Sequence, residues 1–279
     1  ATVEDNCSAS ITFSPASGSY FNIGTTTVTT TAMDVAGNTS SCTFDVTVND
    51  NEAPAALTQN ITVQLDASGN TSIVATDVDN GSNDACGIAS LTIDNSSFTC
   101  ADVGANTVTL TVTDNNNNVS TQTAVVTIED NVAPIAITQN ITVQLDASGN
   151  ASIVATDVNN GSNDACGIAS LAIDISSFTC ANVGANTVTL TVTDNNNNVS
   201  TCSATVTVED NVAPTMLCQD ITVQLDATGN ASIVTGDIDN GSSDACSAVT
   251  LSLDITAFTC AEIGANAVTL TGTDAQGNS

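Results

Sequence analysis

The sequence contains no Lys, Arg or His against 30 Asp and Glu residues, so 279 residues carry a formal net charge of −30. Because proteins contact nucleic-acid phosphates chiefly through Lys and Arg, this composition excludes nucleic-acid binding. Electrostatic attraction to anionic membranes is excluded for the same reason. The chain also lacks the base of a catalytic triad, a Schiff-base lysine and an oxyanion-stabilising arginine. We therefore expect a protein that is not an enzyme.

Tryptophan is also absent, aromatic residues make up only 3% of the chain, and there are four prolines. No apolar run approaches the ~18 residues of a membrane-spanning helix. With 41% hydrophobic residues the chain is nonetheless too apolar for a disordered acidic tail. Its abundant Val, Ile and Thr favour β-strands, which predicts an all-β fold.

The chain repeats itself at a fixed interval. The string Gln-Asn-Ile-Thr-Val-Gln-Leu-Asp-Ala-Ser-Gly-Asn begins at Gln59 and again at Gln139, and a close variant begins at Gln219. An Asp-Asn pair followed by Ala-Pro marks each boundary. Such self-similarity is typical of tandem-repeat proteins. We predict four repeats, at residues 1–52, 53–132, 133–212 and 213–279.

The first repeat lacks its first strands, and the fourth stops short of its last strand. An excerpt from a longer array explains both ends most simply. The alternative is a protomer whose open ends are completed by strands of neighbouring copies.

The second repeat shows the strand pattern most clearly. Ile61, Val63 and Leu65 alternate with polar residues, and a turn signal follows at residues 66–70. Further strands are predicted at residues 72–76, 88–93, 107–112 and 124–128, with a hairpin turn at 114–118. Seven short strands in one repeat predict an elongated array of immunoglobulin-like β-sandwiches.

The first repeat resembles the hyalin repeat, an immunoglobulin-like extracellular adhesion module. The resemblance lies in Asp-Asn-Cys-Ser at residues 5–8, in residues 17–28, in Asp-Val-Ala-Gly-Asn at 34–38 and in Cys-Thr-Phe at 42–44. The later repeats resemble the related repeats of very large secreted surface adhesins of Bacteroidetes, although residues 81–85 depart from the hyalin pattern. The resemblance implies adhesion or a structural spacer outside the cell.

Two short motifs are similar to those of cadherin repeats. Ala-Thr-Asp-Val-Asp at residues 75–79 resembles their calcium-binding loop, and residues 127–134 resemble the linker between their repeats. This similarity implies Ca²⁺ as a cofactor.

Topology gives a separate argument for a metal site. In a sandwich of this kind, two loops and the preceding linker meet at one pole of each repeat, and here they gather carboxylates with no cationic side chain to balance them. A calcium ion binds 6–8 such oxygens. Solvated turns are the alternative, because Asp, Asn, Gly and Ser also form turns. The candidate ligands at the three junctions are Asp50, Asn51, Asp77, Asp79, Asp84 and Asp114; Asp130, Asn131, Asp157, Asp164 and Asp194; and Asp210, Asn211, Asp237, Asp239 and Asp244.

The ten cysteines show none of the Cys-x-x-Cys spacings of zinc or redox sites, so disulfides in an oxidising compartment are expected. We predict one bridge inside each of three repeats: Cys86–Cys100, Cys166–Cys180 and Cys246–Cys260. Cys202 and Cys218 replace Gln122 and Thr138 together, which suggests a bridge across a junction; the alternative is a partner for Cys218 beyond residue 279. Cys7 and Cys42 either pair with each other or have partners upstream.

Together these features predict a structural segment of an extracellular filament or adhesin stalk at the cell surface. Its expected partners are copies of itself, or cell-surface glycans and proteins. The alternative function is a calcium-dependent carbohydrate- or surface-binding module of a secreted protein. The near-identity of the second and third repeats favours the stalk, because repetition supplies length rather than a unique site.

Overall fold

The computed structural model describes residues 3–4 and 8–279. The first repeat contributes an antiparallel sheet in which β2 lies between β1 and β3. Its strands are β1 (Ala9–Ser14), β2 (Gly24–Asp34) and β3 (Thr39–Val48). Alternation along β2 buries Val28 and Thr30 on one face, as a half-buried strand requires.

The second repeat contains a four-stranded sheet in the order β4-β9-β8-β6 and a two-stranded sheet of β5 and β7. Strand β4 pairs in parallel with β9, and the other pairs are antiparallel. The elements are β4 (Ile61–Gln64), β5 (Asn70–Ser72), α1 (Ala75–Val78), β6 (Ile88–Ile93), β7 (Ser97–Thr99), a 3₁₀ turn (Cys100–Asp102), β8 (Gly104–Asp114) and β9 (Val119–Glu129).

The third repeat reproduces this arrangement one period later, with a sheet in the order β10-β15-β14-β12 and a second sheet of β11 and β13. Its elements are β10 (Ile141–Gln144), β11 (Asn150–Ser152), α2 (Ala155–Val158), β12 (Ile168–Ile173), β13 (Ser177–Thr179), a 3₁₀ turn (Cys180–Asn182), β14 (Gly184–Asp194) and β15 (Val199–Glu209).

The fourth repeat keeps the smaller sheet, formed by β16 and β18, and pairs β17 with β19. In the third repeat β10 pairs with β15, and among the described residues no strand takes the place of β15 in the fourth repeat. The equivalents of β10, residues 221–224, accordingly form no strand. The elements are β16 (Asn230–Ser232), α3 (Thr235–Ile238), β17 (Thr250–Leu253), β18 (Ala257–Thr259), a 3₁₀ turn (Cys260–Glu262) and β19 (Leu270–Thr273).

The core of the third repeat lies between its two sheets. Val188, Leu190 and Val192 of β14 are fully buried, and Phe178 of β13 covers them. Burying each such side chain contributes about 1.5–3 kcal/mol. The pattern of alternate burial runs along β14, as predicted for a strand with one face on the core. The all-β fold class is therefore confirmed.

One predicted strand is wrong. Residues 75–78 form the single helical turn α1 rather than the end of a strand. The reason is local: the Asp77 carboxylate accepts a hydrogen bond from the backbone N–H of Val74, 2.7 Å away, and so caps the turn. The same turn recurs in α2 and α3 with Asp157 and Asp237.

By its internal contacts the chain divides into two compact units. One contains residues 1–64 and 70–129, and the other contains residues 65–69 and 130–279. The first holds the sheet β1–β3 and most of the second repeat, and the second holds the third and fourth repeats. The boundaries of the four repeats remain a prediction.

Candidate metal centre

Three carboxylates converge at one pole of the fourth repeat. Asp210 directly follows β15, Asp244 lies in the loop after α3, and Asp274 directly follows β19. One oxygen from each lies within 4.8 Å of an oxygen of the other two. Oxygens bound to one Ca²⁺ lie 2.3–2.6 Å from the ion and hence up to about 5.2 Å apart, so this spacing fits a calcium site.

Asp274 is held in place by a polar turn. Its Oδ1 accepts hydrogen bonds from the backbone N–H groups of Gln276 and Asn278, and its Oδ2 accepts one from Asn278 Nδ2. Burial acts to raise the pKa of Asp274, but the hydrogen bonds from Asn278 outweigh it and hold the pKa below its usual value. Asn278 Nδ2 also donates to the Asp210 carbonyl oxygen, 3.0 Å away. The turn therefore ties the linker to the repeat that follows it.

Asp210 has a buried carboxylate oxygen that lacks a hydrogen-bond partner. Its side chain is only 4% exposed. Oδ1 accepts a hydrogen bond from the Val212 N–H, but Oδ2 is buried and has no hydrogen-bond partner. A buried carboxylate oxygen without a partner is costly. Two carboxylates at the separation seen here also repel by about 3.5 kcal/mol at an effective dielectric of 20. A bound cation would remove both costs, so the residues present fit a metal ion.

The linker aspartate of the third repeat has a similar environment. Asp130 is 6% exposed, and its Oδ2 is likewise buried without a partner. Asn198 Nδ2 bridges the Asp130 carbonyl oxygen and Asp194, which is fully buried. Asp130, Asp164 and the sulfur of Cys166 form the close group here, but Cys166 is disulfide-bonded and has no thiolate to offer.

The second repeat differs in one ligand atom. Asp50 and Asp84 converge with Cys86, which carries a free thiol. The interaction of this thiol with Asp50 is the largest cause of the raised pKa of Cys86, and burial and the charges of Asp84 and Asp114 act in the same direction. Asp114 itself is fully buried. Burial acts to raise its pKa, but hydrogen bonds from Asn118 hold that pKa below its usual value.

The two loops predicted to meet at this pole are in contact in the structure. Asn115 in the β8–β9 hairpin donates a hydrogen bond to the Cys86 carbonyl oxygen in the loop before β6. The structure places other predicted ligands elsewhere. Asp77, Asp157 and Asp237 cap the helical turns. A second set, Asp79, Asn159 and Asp239, accepts backbone N–H groups of serines three residues ahead.

At Asp239, hydrogen bonds from Ser242 lower the pKa, as expected of a carboxylate that forms a turn. Among the predicted amide ligands, Asn211 donates to Gln144, and Asn51, Asn131 and Asn211 are all exposed.

Sequence reasoning missed Asp274. It occupies the position of Asp114 and Asp194 one or two periods later, so the repeat itself already carried the signal. It also missed that Cys86 and Cys166 adjoin the acidic groups, because a spacing of two residues after Asp84 or Asp164 does not fix where a side chain points.

The three predicted bridges within repeats are wrong. Cys180 is bonded to Cys246 of the following repeat, which rules out both Cys166–Cys180 and Cys246–Cys260. Cys260 is free. Cys86 is also free, whereas Cys100 is disulfide-bonded, so Cys86–Cys100 does not form either.

The reason is the position of the two cysteines of one repeat at opposite poles. The Cys166 carbonyl accepts from Asn195, just before β15 begins, whereas Cys180 Sγ lies 3.7 Å from the carbonyl oxygen of Gly149, in the turn near the end of β15. The strand β15 separates these poles by about 34 Å, far beyond the reach of a disulfide.

Cys202 and Cys218 are both free, so their predicted bridge is absent. Cys202 Sγ lies 3.3 Å from the Thr138 hydroxyl within the third repeat. Cys218 occupies the position of Thr138 in the fourth repeat, so the two cysteines belong to the edges of different sandwiches. Cys42 is free and exposed; its predicted partner Cys7 lies outside the described residues.

Sequence comparison identifies the first repeat, because residues 1–48 match the family model of the HYR domain. This match supports an HYR-type repeat in this part of the chain. HYR denotes the hyalin repeat, so the predicted resemblance is confirmed for this part of the chain. A comparison with curated proteins found no match.

Solved structures similar to this chain include protocadherin and titin domains. A protocadherin gammaB7 EC3-6 cis-dimer structure is 17% identical, with 74% of this chain and 63% of that chain covered and a TM-score of 0.30. This chain thus spans less than two thirds of that structure. Mouse clustered PcdhgC3 EC1-3 is 12% identical (67% and 77% covered, TM-score 0.30), and titin I67-I69 is 10% identical (72% and 88% covered, TM-score 0.30). Among the described residues, no helix has the length and apolar character needed to cross a membrane.

Proposed function

We propose that this chain is a non-enzymatic structural segment of an extracellular filament or adhesin stalk, and that calcium stiffens it at the acidic poles of its repeats. The observation that carries the proposal is the recurrence of one acidic pole in three successive repeats, each of which holds a buried carboxylate oxygen without a partner, on Asp50, Asp130 and Asp210. A stalk is built from repeats that share the same junction, whereas a binding module needs one repeat whose pole differs from the others.

Two further observations support an extracellular setting. The first repeat matches the family model of the HYR domain. A disulfide also joins the third and fourth repeats, and such bonds persist in oxidising compartments. The partners we propose are further copies of the same repeats, or glycans and proteins of a cell surface.

Calcium is the cation we propose because the ligands are oxygens in a loop-built site. Asp210, Asp244 and Asp274 would hold it in the fourth repeat, and Asp130 and Asp164 in the third. When bound, the ion neutralises part of the acidic charge and fixes the linker residue Asp210 against two loops of the repeat that follows.

A calcium titration followed by thermal unfolding tests this proposal. At a calcium concentration of 100 Kd, each site stabilises the folded state by about 2.7 kcal/mol. We expect a calcium-dependent rise in Tm that is smaller in Asp210→Asn and unchanged in Asp226→Asn. Asp226 is a suitable control because it forms the turn at residues 226–230, away from the acidic poles.

Scattering tests the stalk separately. A compact chain of this length has a radius of gyration of about 19 Å, and a stiff array has a larger one. We expect a radius of gyration above that of the compact chain. Calcium should change the mean radius little but should narrow the distribution of radii. A Tm that does not respond to calcium would refute the calcium proposal, and the radius of a compact chain would refute the stalk.

A further inference from the structure

The acidic pole of the fourth repeat and the disulfide between repeats share one loop. Cys246 lies two residues after Asp244, and Asp244 Oδ1 accepts hydrogen bonds from the N–H groups of Cys246 and Ser247, at 2.8 and 2.9 Å. The candidate ligand Asp244 and the bridging Cys246 therefore move together.

The same loop also positions the third carboxylate. The Ser247 hydroxyl accepts a hydrogen bond from the N–H of Ala275, 3.0 Å away, and Ala275 directly follows Asp274. Residues 244–247 thus connect the disulfide with two of the three carboxylates.

On the opposite side, Cys180 reaches this loop from the third repeat. Its sulfur lies 3.5 Å from the Ala245 carbonyl oxygen. Gly149 lies against the bond, since a Cβ there would come within 2.4 Å of Cys180 Sγ and 3.1 Å of Cys246 Sγ. The disulfide is thus packed between the two repeats, and its loss would free residues 244–247 to shift.

Asp210 supplies the second link between the same two repeats. It directly follows β15 of the third repeat, and its carboxylate, with Oδ2 unpartnered, belongs to the acidic cluster of the fourth. The disulfide and the cation site can both form only when the two repeats have one particular relative arrangement. Closing either one lowers the entropy that the other must lose, which is the physical basis of positive coupling.

We propose that the Cys180–Cys246 disulfide and the cation bound by Asp210, Asp244 and Asp274 form one coupled clasp, so that reduction of the disulfide weakens calcium binding and calcium protects the disulfide from reduction. The inference rests on the proposed calcium binding and adds redox control to it. In the reduction, an external dithiol gives two electrons and two protons to the bond, which becomes two thiols while the dithiol becomes a cyclic disulfide.

The test measures calcium binding to the full chain by calorimetry with calcium chloride. Asp50→Asn and Asp130→Asn together remove the central carboxylates of the other two poles and leave the fourth-repeat site. In this background we expect Cys180→Ser to raise the calcium Kd by about fivefold or more, the lower end of typical coupling. Cys260→Ser is the matched control, because Cys260 is the free counterpart of Cys180 one repeat later.

A second measurement keeps the disulfide intact and so does not depend on the folding of a cysteine variant. We expect calcium to slow the reduction of Cys180–Cys246 by dithiothreitol, and Asp210→Asn to abolish that protection. Equal calcium Kd values with and without the disulfide, together with a reduction rate independent of calcium, would overturn the coupling and leave the calcium proposal standing. No calcium binding in the intact background would overturn both.

Discussion

Removal of Cys180 gives the sharpest test of how the repeats are joined. The bond to Cys246 closes a loop with a sequence separation of 66 residues. The chain-entropy relation gives about 4 kcal/mol of stabilisation for such a loop, against about 3 kcal/mol for the shorter loop of a Cys166–Cys180 bridge. We therefore expect Cys180→Ser to lower the free energy of unfolding by about 4 kcal/mol, measured by denaturant titration without reductant.

Proteolysis identifies the bridge directly. A glutamate-specific protease cuts after Glu129, Glu209 and Glu262, which separates fragments 130–209 and 210–262. Without reductant, we expect mass spectrometry to find these fragments linked in wild type and fragment 210–262 released in Cys180→Ser. Release of fragment 210–262 from unreduced wild type would refute the inter-repeat bond, because a bridge within each repeat leaves the two fragments unlinked.

Two further predictions concern the third repeat. Thr138→Cys should form a new disulfide with Cys202, since the Cys202 sulfur lies 3.3 Å from the Thr138 hydroxyl. The new bond should stabilise the repeat by about 2–4 kcal/mol, and thiol titration detects it. Thr58→Cys, which faces no cysteine, is the control. The backbone N–H of Thr189 donates to Asp174 and lowers the pKa of that carboxyl, so its stabilising effect is complete above the unfolded-state pKa of 3.8 and is lost as the pH falls through the lower folded value. Asp174→Asn should therefore flatten the fall in unfolding free energy below about pH 4, and an unchanged slope would contradict the assignment.

The sequence predicted the sandwich strands because their signal is local. Alternation along residues 107–112 marks β8, and the asparagine run after Asp114 marks its hairpin. The one failure among the strands described above, at residues 72–76, has a local cause as well. Asp77 caps a helical turn there, and a run of residues with strand propensity did not reveal that contact.

The sequence predicted which loops form the acidic pole but not which of their carboxylates face it. The pairing of Asp84 with the linker residue Asp50 followed from the expectation that loops of a sandwich meet at one end. The exclusion of Asp77 and Asp79 did not, because both carboxylates turn back to nearby backbone N–H groups. Which oxygen lacks a partner depends on packing, and only the folded chain shows that Asp210 Oδ2 is such an atom.

The sequence alone determined the composition-level conclusions: an acidic, all-β, repetitive chain without the side chains of nucleic-acid binding or of most catalysis. It also set the number of cysteines and their recurrence from repeat to repeat. Their pairing was decided by tertiary structure. Cys166 and Cys180 are near in sequence, but strands carry them to opposite poles, and stacking of the next repeat brings Cys246 to Cys180. Distance along the chain does not determine distance in space once rigid strands intervene, and a disulfide depends on the latter.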